Sequence, residues 1–388
     1  MPKPIVIIGS GFAAYQLVKT LRRLNREQPI TVITADSGDE YHKPDLSHVF
    51  SLKKMASDLI KLTATEFAHE QQIDVINHCE VIKIDKVRQV VCCHQGREIA
   101  YKKLVLATGA RPFIPPIEGD GVDIIHTVNS LMEYQACEAD IHGARRVLVI
   151  GAGLVGVELA MDLATAGKQV FLVDPQASLM PNMLPEMLSH KLTAVLTQHN
   201  VTVQLQTRVS QLQHQDGSIS VCLDNDQRFI CDAVICAAGL LPNSQLAQHA
   251  GLEVNKGIVV NEYLQTNDAH IYALGDCAQI NGQNRAYLQP ALLSANALAN
   301  TLLNQPTAVN FPAMLIKVKT PLLPMQLSGI TVNGVHRWQV DIDAQGSSIK
   351  AFDVDETFIG FIVTEDKMQQ AFGLLKQLNS PNAALIVA

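Results

Sequence analysis

One pattern occurs twice in this chain and strongly restricts its fold. Residues 5–36 read IVIIGSGFAAYQLVKTLRRLNREQPITVITAD, and residues 145–174 read RRVLVIGAGLVGVELAMDLATAGKQVFLVD. Each stretch starts with an apolar run, passes through closely spaced glycines into a helical segment, and ends in a second apolar run before an aspartate. This order of strand, glycine turn, helix, strand and acid is typical of a dinucleotide-binding βαβ unit. The repeat predicts two such units.

In the first copy, Gly9, Gly11 and Ala14 form the pattern G-x-G-x-x-A. The glycines permit a tight turn and a close approach of the backbone to a pyrophosphate, and the alanine permits close helix–strand packing. The helix is expected to start at Phe12, so the phosphates would lie at its N-terminus. Asp36 follows the second strand and is the expected ribose ligand.

The second copy repeats the pattern with Gly151, Gly153 and Gly156, and its second strand ends at Asp174. An acid at that position hydrogen-bonds the 2′-hydroxyl of an adenosine ribose and repels a 2′-phosphate. The next two residues are proline and glutamine, so no arginine follows to receive a phosphate. This site therefore favours NADH over NADPH.

Composition excludes several classes of function. The net charge is −7, whereas a nucleic-acid binder usually has a basic surplus, so we expect no nucleic-acid partner. No apolar run approaches the roughly 18 residues of a membrane span, and we expect neither membrane association nor a secretory signal. The eight cysteines contain no C-x-x-C pair, and the thirteen histidines have no metal-ligand spacing. We expect a cytoplasmic protein with reduced thiols and no metal.

Three further segments resemble flavoprotein reductases of the disulfide-reductase type. TNDAHIYALGDCA at 266–278 is similar to the late motif whose aspartate binds the FAD ribityl chain. KLVLATGARP at 103–112 resembles their A-T-G strand end, and DAVICAAGLLPN at 232–243 resembles the segment returning from the NAD domain. The resemblance implies FAD in the first unit and NADH in the second. The FAD contacts implied by these motifs are Thr108, Gly109, Gly275 and Asp276.

The resemblance also implies an α/β fold with two Rossmann-like dinucleotide-binding domains and a small C-terminal α+β domain. The FAD-binding domain would be discontinuous and cover residues 1–112 and 241–310, with the NAD-binding domain at 113–240 between its parts. Residues 311–388 would form the C-terminal domain. There, HRWQVDI, SSIKAFDV and TFIGFIVT are predicted strands. A helix is expected after Thr364, with Phe372 among its core contacts.

A thiol relay to the electron acceptor is not expected. Glutathione-reductase-like enzymes carry a dithiol after the second strand, but the corresponding segment here, EYHKPDLSHVFSLKK at 40–54, contains no cysteine. Cys231 and Cys236 have C-x4-C spacing but fall in the strands that return from the NAD domain, so we interpret them as buried thiols. The flavin would then pass electrons directly to a one-electron acceptor.

The segments IVIIGSGFAAYQLVK, ADSGDEYHKPDLSHV and EDKMQQAFGLLK resemble the bacterial flavorubredoxin reductases, within the FAD-dependent rubredoxin reductase family. That family implies NADH-dependent reduction of the rubredoxin domain of flavorubredoxin, an acidic iron protein, for nitric oxide reduction. It also implies that Lys43 contacts the flavin and that Glu158 lies at the flavin–nicotinamide junction. Further FAD contacts implied in the same way are Val81, Leu288 and Lys319.

One residue departs from the wider pattern, and other functions stay open. Ferredoxin reductases have a lysine at the place of His48 that pairs with the glutamate, so His48 is either a polar residue over the flavin or a structural histidine. One alternative function is a general rubredoxin reductase that feeds another pathway. An alternative of a different class is an FAD- and NADH-binding redox sensor.

Overall fold

The computed structural model describes residues 3–94 and 96–380. Its helices are α1 Phe12–Leu24, α2 Ala64–Gln71, α3 Leu131–Gly143, α4 Leu154–Thr165, α5 Glu186–Gln198, α6 Gln245–His249, α7 Leu288–Leu302 and α8 Ala371–Leu378. Short 3-10 segments cover Lys43–His48, Ala56–Leu59, Asp120–Ile124, Gly275–Cys277 and Glu365–Gln370.

The strands of the first third of the chain are β1 Ile5–Ile8, β2 Ile30–Ile33, β3 Glu40–Tyr41, β4 Ile60–Leu62, β5 Asp74–Ile76, β6 Val81–Asp85, β7 Val90–Cys93, β8 Glu98–Ala100, β9 Lys103–Leu106, β10 Ala110–Pro112 and β11 Ile125–His126. Those of the middle are β12 Arg146–Ile150, β13 Gln169–Asp174, β14 Val201–Leu205, β15 Val209–Gln215, β16 Ser218–Leu223, β17 Arg228–Cys231, β18 Ala233–Cys236 and β19 Leu240–Pro242. The remaining strands are β20 Ile258–Val260, β21 Ile271–Ala273, β22 Ala278–Ile280, β23 Gln283–Asn284, β24 Ile316–Val318, β25 Met325–Gly329, β26 Arg337–Asp343, β27 Gly346–Phe352 and β28 Phe358–Thr364.

The described chain divides into two compact units. The first contains the residues up to Lys43, Ala56–Arg111 and Leu240–Phe311. The second contains Pro44–Met55, Pro112–Gly239 and the residues from Pro312 onward. The division into three domains stays a prediction, and residues 381–388, which it assigns to the third domain, lie outside the described residues.

The first unit is built on a five-stranded parallel sheet in the order β21-β9-β1-β2-β5. Its central strand β1 is a run of four buried β-branched residues, as expected for a strand that is covered on both faces. Helix α1 buries Leu17, Val18 and Leu21 against this core, and its last turn carries Arg22 and Arg23, which complement the helix dipole. Because the strands are parallel, all their carboxyl ends lie at one edge of the sheet, where ligands bind in such folds.

The second unit contains a second parallel sheet, in the order β11-β18-β12-β13-β14. Helix α4 leads from β12 to β13, and every residue from Gly156 to Leu163 is buried, including the charged Glu158 and Asp162. A buried charged side chain needs hydrogen-bond partners, and both carboxylates have them. The predicted α/β fold with two Rossmann-like sheets is confirmed.

The C-terminal part of the second unit is a five-stranded antiparallel sheet, β24-β25-β28-β27-β26, with α8 packed against β28. The three strands predicted from the sequence are confirmed. The expected burial of Phe372 is wrong, because this side chain is 75% exposed. Ala371 and Leu374 are buried in this core, and Met368, Leu375 and Leu378 pack against it.

The glycine turn of the second unit has no room for a side chain at its third glycine. A Cβ atom added to Gly156 would lie 1.8 Å from the carbonyl oxygen of Gly151. A Cβ atom added to Gly153 would meet nothing within 4 Å, and its φ of −71° is open to any residue. Gly156 is therefore required for close packing, whereas the side-chain space at Gly153 is left open.

We predict that Gly156→Ala destabilises the protein by about 1–3 kcal/mol, the usual cost of overpacking, because α4 must move away from its turn. Gly153→Ala is the matched control and should change stability little. Urea unfolding followed by circular dichroism measures both. Equal stabilities of the two variants would contradict the close helix–turn contact.

Candidate functional site

In the first glycine turn, likewise, one glycine is in close contact with the backbone and another has open space in front of it. A Cβ atom on Gly9 would lie 2.2 Å from the carbonyl oxygen of Ala107, and Gly9 has a φ of +113°, which favours glycine. A Cβ atom on Gly11 would meet nothing within 4 Å. Ala14 is fully buried, as expected for the small residue of the fingerprint. The turn holds β1 against the end of β9 and leaves open space in front of Gly11.

The N-termini of α1 and α4 are suited to phosphate groups. Each helix has a glycine at its N-cap with no side-chain cap, and neither has an acidic residue in its first turn. The first backbone N–H groups of a helix have no partner within the helix and carry partial positive charge. Gly11 and Gly153 leave the approach to these groups sterically free. Both helix starts therefore fit the pyrophosphate of a dinucleotide.

The other implied FAD residues of the first unit follow its parallel strands. Thr108 and Gly109 come after β9, and Thr108 is held in place because its hydroxyl donates to the Asn243 carbonyl oxygen at 2.7 Å. Gly275 and Asp276 come after β21, and a Cβ atom on Gly275 would lie 2.8 Å from Ala13 at the start of α1. These residues therefore share the edge of the sheet with the first glycine turn.

Two residues implied as flavin contacts pair with each other. The Lys43 ammonium lies 3.6 Å from a carboxylate oxygen of Asp276, and both side chains remain partly exposed. The sequence alone could not show this pairing, because the two residues are 233 positions apart. An exposed ion pair of this length is weak, so the lysine can still turn to a bound group.

The remaining predicted contacts of the first unit lie at the ends of its elements. Asp36 is half-buried and accepts the backbone N–H of Ser37 at 2.7 Å. Val81 starts β6 and packs against the core, while Leu288 starts α7. The structure assigns no ligand to them, so their cofactor contacts stay predictions.

Asp174 is turned toward the glycine turn of the second unit. One of its carboxylate oxygens accepts the backbone N–H of Ala152 at 2.6 Å, and the other accepts that of Gln176 at 2.7 Å. The side chain is buried, but a carboxylate has about four acceptor positions, so two bonds leave capacity for a ribose hydroxyl. The ribose contact of Asp174 stays a prediction.

Glu158 is held by two segments far from it in sequence. Its Oε2 accepts the hydroxyl of Ser47 at 2.8 Å, and its Oε1 accepts the backbone N–H of Lys319 at 2.8 Å. The Lys319 ammonium donates to the Pro44 carbonyl oxygen. Burial lowers the pKa of Lys319 below its usual value, while the nearby charge of Glu158 acts in the opposite direction. Both Glu158 and Lys319 belong to the second unit.

His48 does not take the place of the ferredoxin-reductase lysine beside Glu158. Its Nδ1 lies 3.7 Å from Oδ1 of Asp162, one helical turn further along α4. Asp162 also accepts hydrogen bonds from Phe50 and Ser51. Asp162 and Ser51 could not be identified as functional residues from the sequence, since neither lies in a recognisable motif. The one signal was a second acid four residues after Glu158 in an otherwise apolar helix.

The thiols of the returning strands are buried, as expected. Cys231 and Cys236 are at most 4% exposed, and burial raises the pKa of Cys231 to about 12. Burial also raises the pKa of Cys236. A thiol that stays protonated is a poor nucleophile, so neither cysteine is suited to a relay.

Within residues 3–94 and 96–380, no helix is long and apolar enough to cross a membrane.

Comparison with known families identifies the fold that carries these two turns. Residues 3–297 match the family described as pyridine nucleotide-disulphide oxidoreductase, and residues 308–378 match the rubredoxin binding C-terminal domain. The chain belongs to the pyridine nucleotide-disulphide oxidoreductase family. In this family of oxidoreductases, the chain has the glycine turns described above but no cysteine in segment 40–54.

Relatives within the family are similar over their full lengths. The nitric oxide reductase FlRd-NAD(+) reductase of Aliivibrio fischeri is 48% identical over 98% of this chain and 100% of its own length. The protein of the same name from Vibrio vulnificus is 48% identical over 98% of this chain and 99% of its own length. The resemblance to flavorubredoxin reductases is confirmed.

Solved structures share the fold at lower identity. A ferredoxin reductase for the CYP199A2 system from Rhodopseudomonas palustris has a TM-score of 0.88 and 22% identity, with 98% of both chains covered. The reductase of the covalent putidaredoxin reductase–putidaredoxin complex has a TM-score of 0.88 and 25% identity, with 98% of this chain and 95% of that chain covered.

We predict that Gly11→Val yields a folded protein that has lost most of its flavin, because the new side chain fills the approach to the first residues of α1. The matched variant Gly153→Val should keep the flavin and weaken NADH binding about tenfold or more, equivalent to about 1.4 kcal/mol. Flavin released by heat and NADH titration measure the two effects. A full flavin content in Gly11→Val would place the cofactor elsewhere.

We predict that Asp174→Ala narrows the preference for NADH over NADPH by about 10- to 100-fold, because it removes a charge-assisted hydrogen bond and a repulsion. Asp174→Asn is the control, since its amide oxygen can still accept the backbone N–H of Ala152. It therefore separates the loss of the negative charge from the loss of the hydrogen bond to the glycine turn. The measurement is kcat/KM for both nucleotides. A parent protein that prefers NADPH would rule out this role for Asp174.

Proposed function

We propose that this chain is an NADH-dependent FAD flavoprotein that reduces the rubredoxin domain of flavorubredoxin and so supplies electrons for nitric oxide reduction. The observation that carries the proposal is the combination of two uncapped glycine-turn helices with a C-terminal part that matches the rubredoxin binding domain. The relatives that are 48% identical carry the name of this activity.

The two nucleotide sites define a direction of electron flow. A bound FAD would supply the conversion of a hydride from NADH, which carries two electrons, into single-electron transfers. A rubredoxin iron accepts a single electron, so such a flavoprotein matches a two-electron donor to a one-electron acceptor. Segment 40–54 contains no cysteine and the cysteines of the returning strands are buried, which favours direct transfer without a thiol step.

Three side chains are assigned roles at the reacting groups. Lys43 would place a cation beside a bound flavin and so favour its negatively charged reduced form. Glu158 would orient a bound nicotinamide, and its carboxylate is already fixed by Ser47 and by the backbone of Lys319. The ammonium of Lys319 is the third assigned contact. Its lowered pKa reflects burial, and a buried cation is more effective toward a bound anion than an exposed one.

Stopped-flow spectroscopy tests the function. The reconstituted protein should be yellow, should be bleached rapidly by NADH under anaerobic conditions, and should then reduce a flavorubredoxin rubredoxin domain much faster than it reduces oxygen. Flavin identified as FMN, or slow transfer to every rubredoxin tried, would rule out this function. Slow transfer combined with tight NADH binding would favour the redox-sensor alternative.

A general rubredoxin reductase is the second candidate, because the C-terminal match is to rubredoxin binding without a named partner. The two candidates differ in the preferred acceptor. Rates for a flavorubredoxin domain and for an independent rubredoxin, measured at equal concentrations, separate them.

A cytoplasmic location is part of the proposal, and cell fractionation tests it.

The second unit offers basic residues to an acidic acceptor. Rubredoxin domains are commonly acidic, and this chain carries a net charge of −7, so docking needs a local positive patch. Lys53 and Lys317 are exposed, whereas Lys54 is half-buried and the Lys319 ammonium is bonded to a carbonyl oxygen. Among these four lysines, Lys53 and Lys317 are therefore the stronger candidates. Lys43 and Arg285 are separate candidates on the first unit.

We predict that Lys53→Glu slows transfer to the rubredoxin domain and reduces its dependence on salt, because screening acts over roughly 8 Å at physiological ionic strength. Reduction of the flavin by NADH should not change. Lys102→Glu reverses the charge of another exposed lysine and is the matched control. The measurement is the second-order rate from pre-reduced protein against salt. If the salt dependence of this rate has the same slope in the parent, Lys53→Glu and Lys102→Glu, Lys53 is not part of the docking surface.

A further inference from the structure

Asp162 is a buried carboxylate that the activity described so far does not use. It lies on α4 one turn after Glu158 and is 2% exposed. Its ion-pair partner is the His48 imidazole, which balances the charge only when protonated. Burying a carboxylate costs several kcal/mol unless hydrogen bonds replace the lost water. The donors that compensate Asp162 are therefore held strongly in place.

These donors all come from one short segment, Pro44–Met55, which we call the strap. The backbone N–H of Phe50 donates to Asp162 Oδ2 at 2.8 Å, and that of Ser51 donates to the same oxygen at 3.3 Å. The Ser51 hydroxyl donates to Oδ1. Asp162 thus binds the middle of the strap through two backbone groups and one side chain.

The strap contacts α4 at a second point with the same spacing. Ser47 donates to Glu158, and Ser51 donates to Asp162, so serines four residues apart meet carboxylates four residues apart. A shift of the strap by one residue would separate both pairs at once. The bonds to Asp162 therefore act together with the buried Val49 and Phe50 in placing Ser47 against Glu158.

We propose that Asp162 is a positioning residue that sets the register of the strap on α4 and thereby fixes the Glu158 carboxylate for hydride transfer. The inference rests on the proposed function, because it uses the role of Glu158 at the nicotinamide. Without Asp162, Ser47 leaves Glu158, whose Oε2 then lacks its donor. Oε1 still accepts the backbone N–H of Lys319. The carboxylate therefore stays anchored at Oε1, while Oε2 is free to move.

Two substitutions of the same residue separate positioning from charge. Asp162→Leu removes every acceptor and should release the strap. Asp162→Asn keeps an oxygen for the two backbone N–H groups, and its amide can donate to the Ser51 hydroxyl, which rotates to accept. The asparagine variant should therefore restore the register although its pair with His48 is lost. Ser51→Ala removes one of the three donors and should show a smaller effect in the same direction.

The first readout is hydrogen–deuterium exchange of the strap in flavin-free protein, which does not depend on activity. The amides of Phe50 and Ser51 should exchange about tenfold faster or more in Asp162→Leu, since each tenfold corresponds to about 1.4 kcal/mol of lost protection. Exchange in Asp162→Asn should stay close to that of the parent. A strap that remains protected in Asp162→Leu would overturn the proposal.

The second readout is flavin reduction by NADH in the reconstituted proteins. The limiting rate should fall about 10- to 100-fold in Asp162→Leu, as for a reacting group displaced by about 1 Å. The NADH dissociation constant should stay nearly unchanged, because the glycine turn and Asp174 are intact. Asp162→Asn should recover most of the rate. A parent-like rate in a Leu variant whose strap exchanges rapidly would overturn the proposal.

Controls make the outcome specific. Asp232→Leu removes another anchored carboxylate of the second unit, where Asp232 binds Arg146, and should lower stability without a selective loss of the limiting rate. An equal rate loss in Asp232→Leu would overturn the positioning role. If Asp162→Leu does not fold, Ser51→Ala carries the test, and unchanged exchange and rate there would overturn it. A parent protein whose flavin NADH does not reduce would instead refute the proposed function.

Discussion

The arrangement of the second unit depends on two carboxylates buried one turn apart on α4. Glu158 and Asp162 lose their water on folding, and only hydrogen bonds from the protein can replace it. Their donors come from the strap and from Lys319, which lie more than 100 residues away on either side in sequence. The cost of leaving either carboxylate without partners is what holds these distant segments to the helix, in addition to apolar packing.

The N-termini of α1 and α4 differ from these carboxylates, because neither helix has a side-chain cap. The first N–H groups of a helix can be stabilised by a capping side chain, as in α2 with Thr63 and Glu66. At α1 and α4 the cap is a glycine and the space in front of it is open. A phosphate would then satisfy these N–H groups, which suits the pyrophosphate common to both dinucleotides.

Features that depend on neighbouring residues could be predicted from the sequence, and long-range contacts could not. The glycine turns, the buried strand β1 and the strands of the C-terminal sheet follow from local steric and apolar patterns. The pair of Lys43 with Asp276 and the bonds of Asp162 join residues more than 100 positions apart, and no local pattern specifies them. Phe372 is exposed although Met368 and Leu375 pack against the core, so the helical pattern placed the edge of the buried face one residue too far, at Phe372 instead of Ala371.

The choice of electron acceptor has to be encoded outside the two sheets. Reductases of one fold serve different acceptors, so a βαβ unit that binds a dinucleotide carries no information about the next electron carrier. In this chain the strap differs from thiol-dependent enzymes by having no cysteine, and its middle is bound to α4 by Asp162. Its far end carries Leu52 and Met55, which are 61% and 40% exposed, on either side of Lys53. Apolar side chains around an exposed cation suit an acidic protein surface, because the charge directs the encounter and the apolar area stabilises the contact. One segment would then serve both steps, with its buried half orienting Glu158 and its exposed half meeting the acceptor.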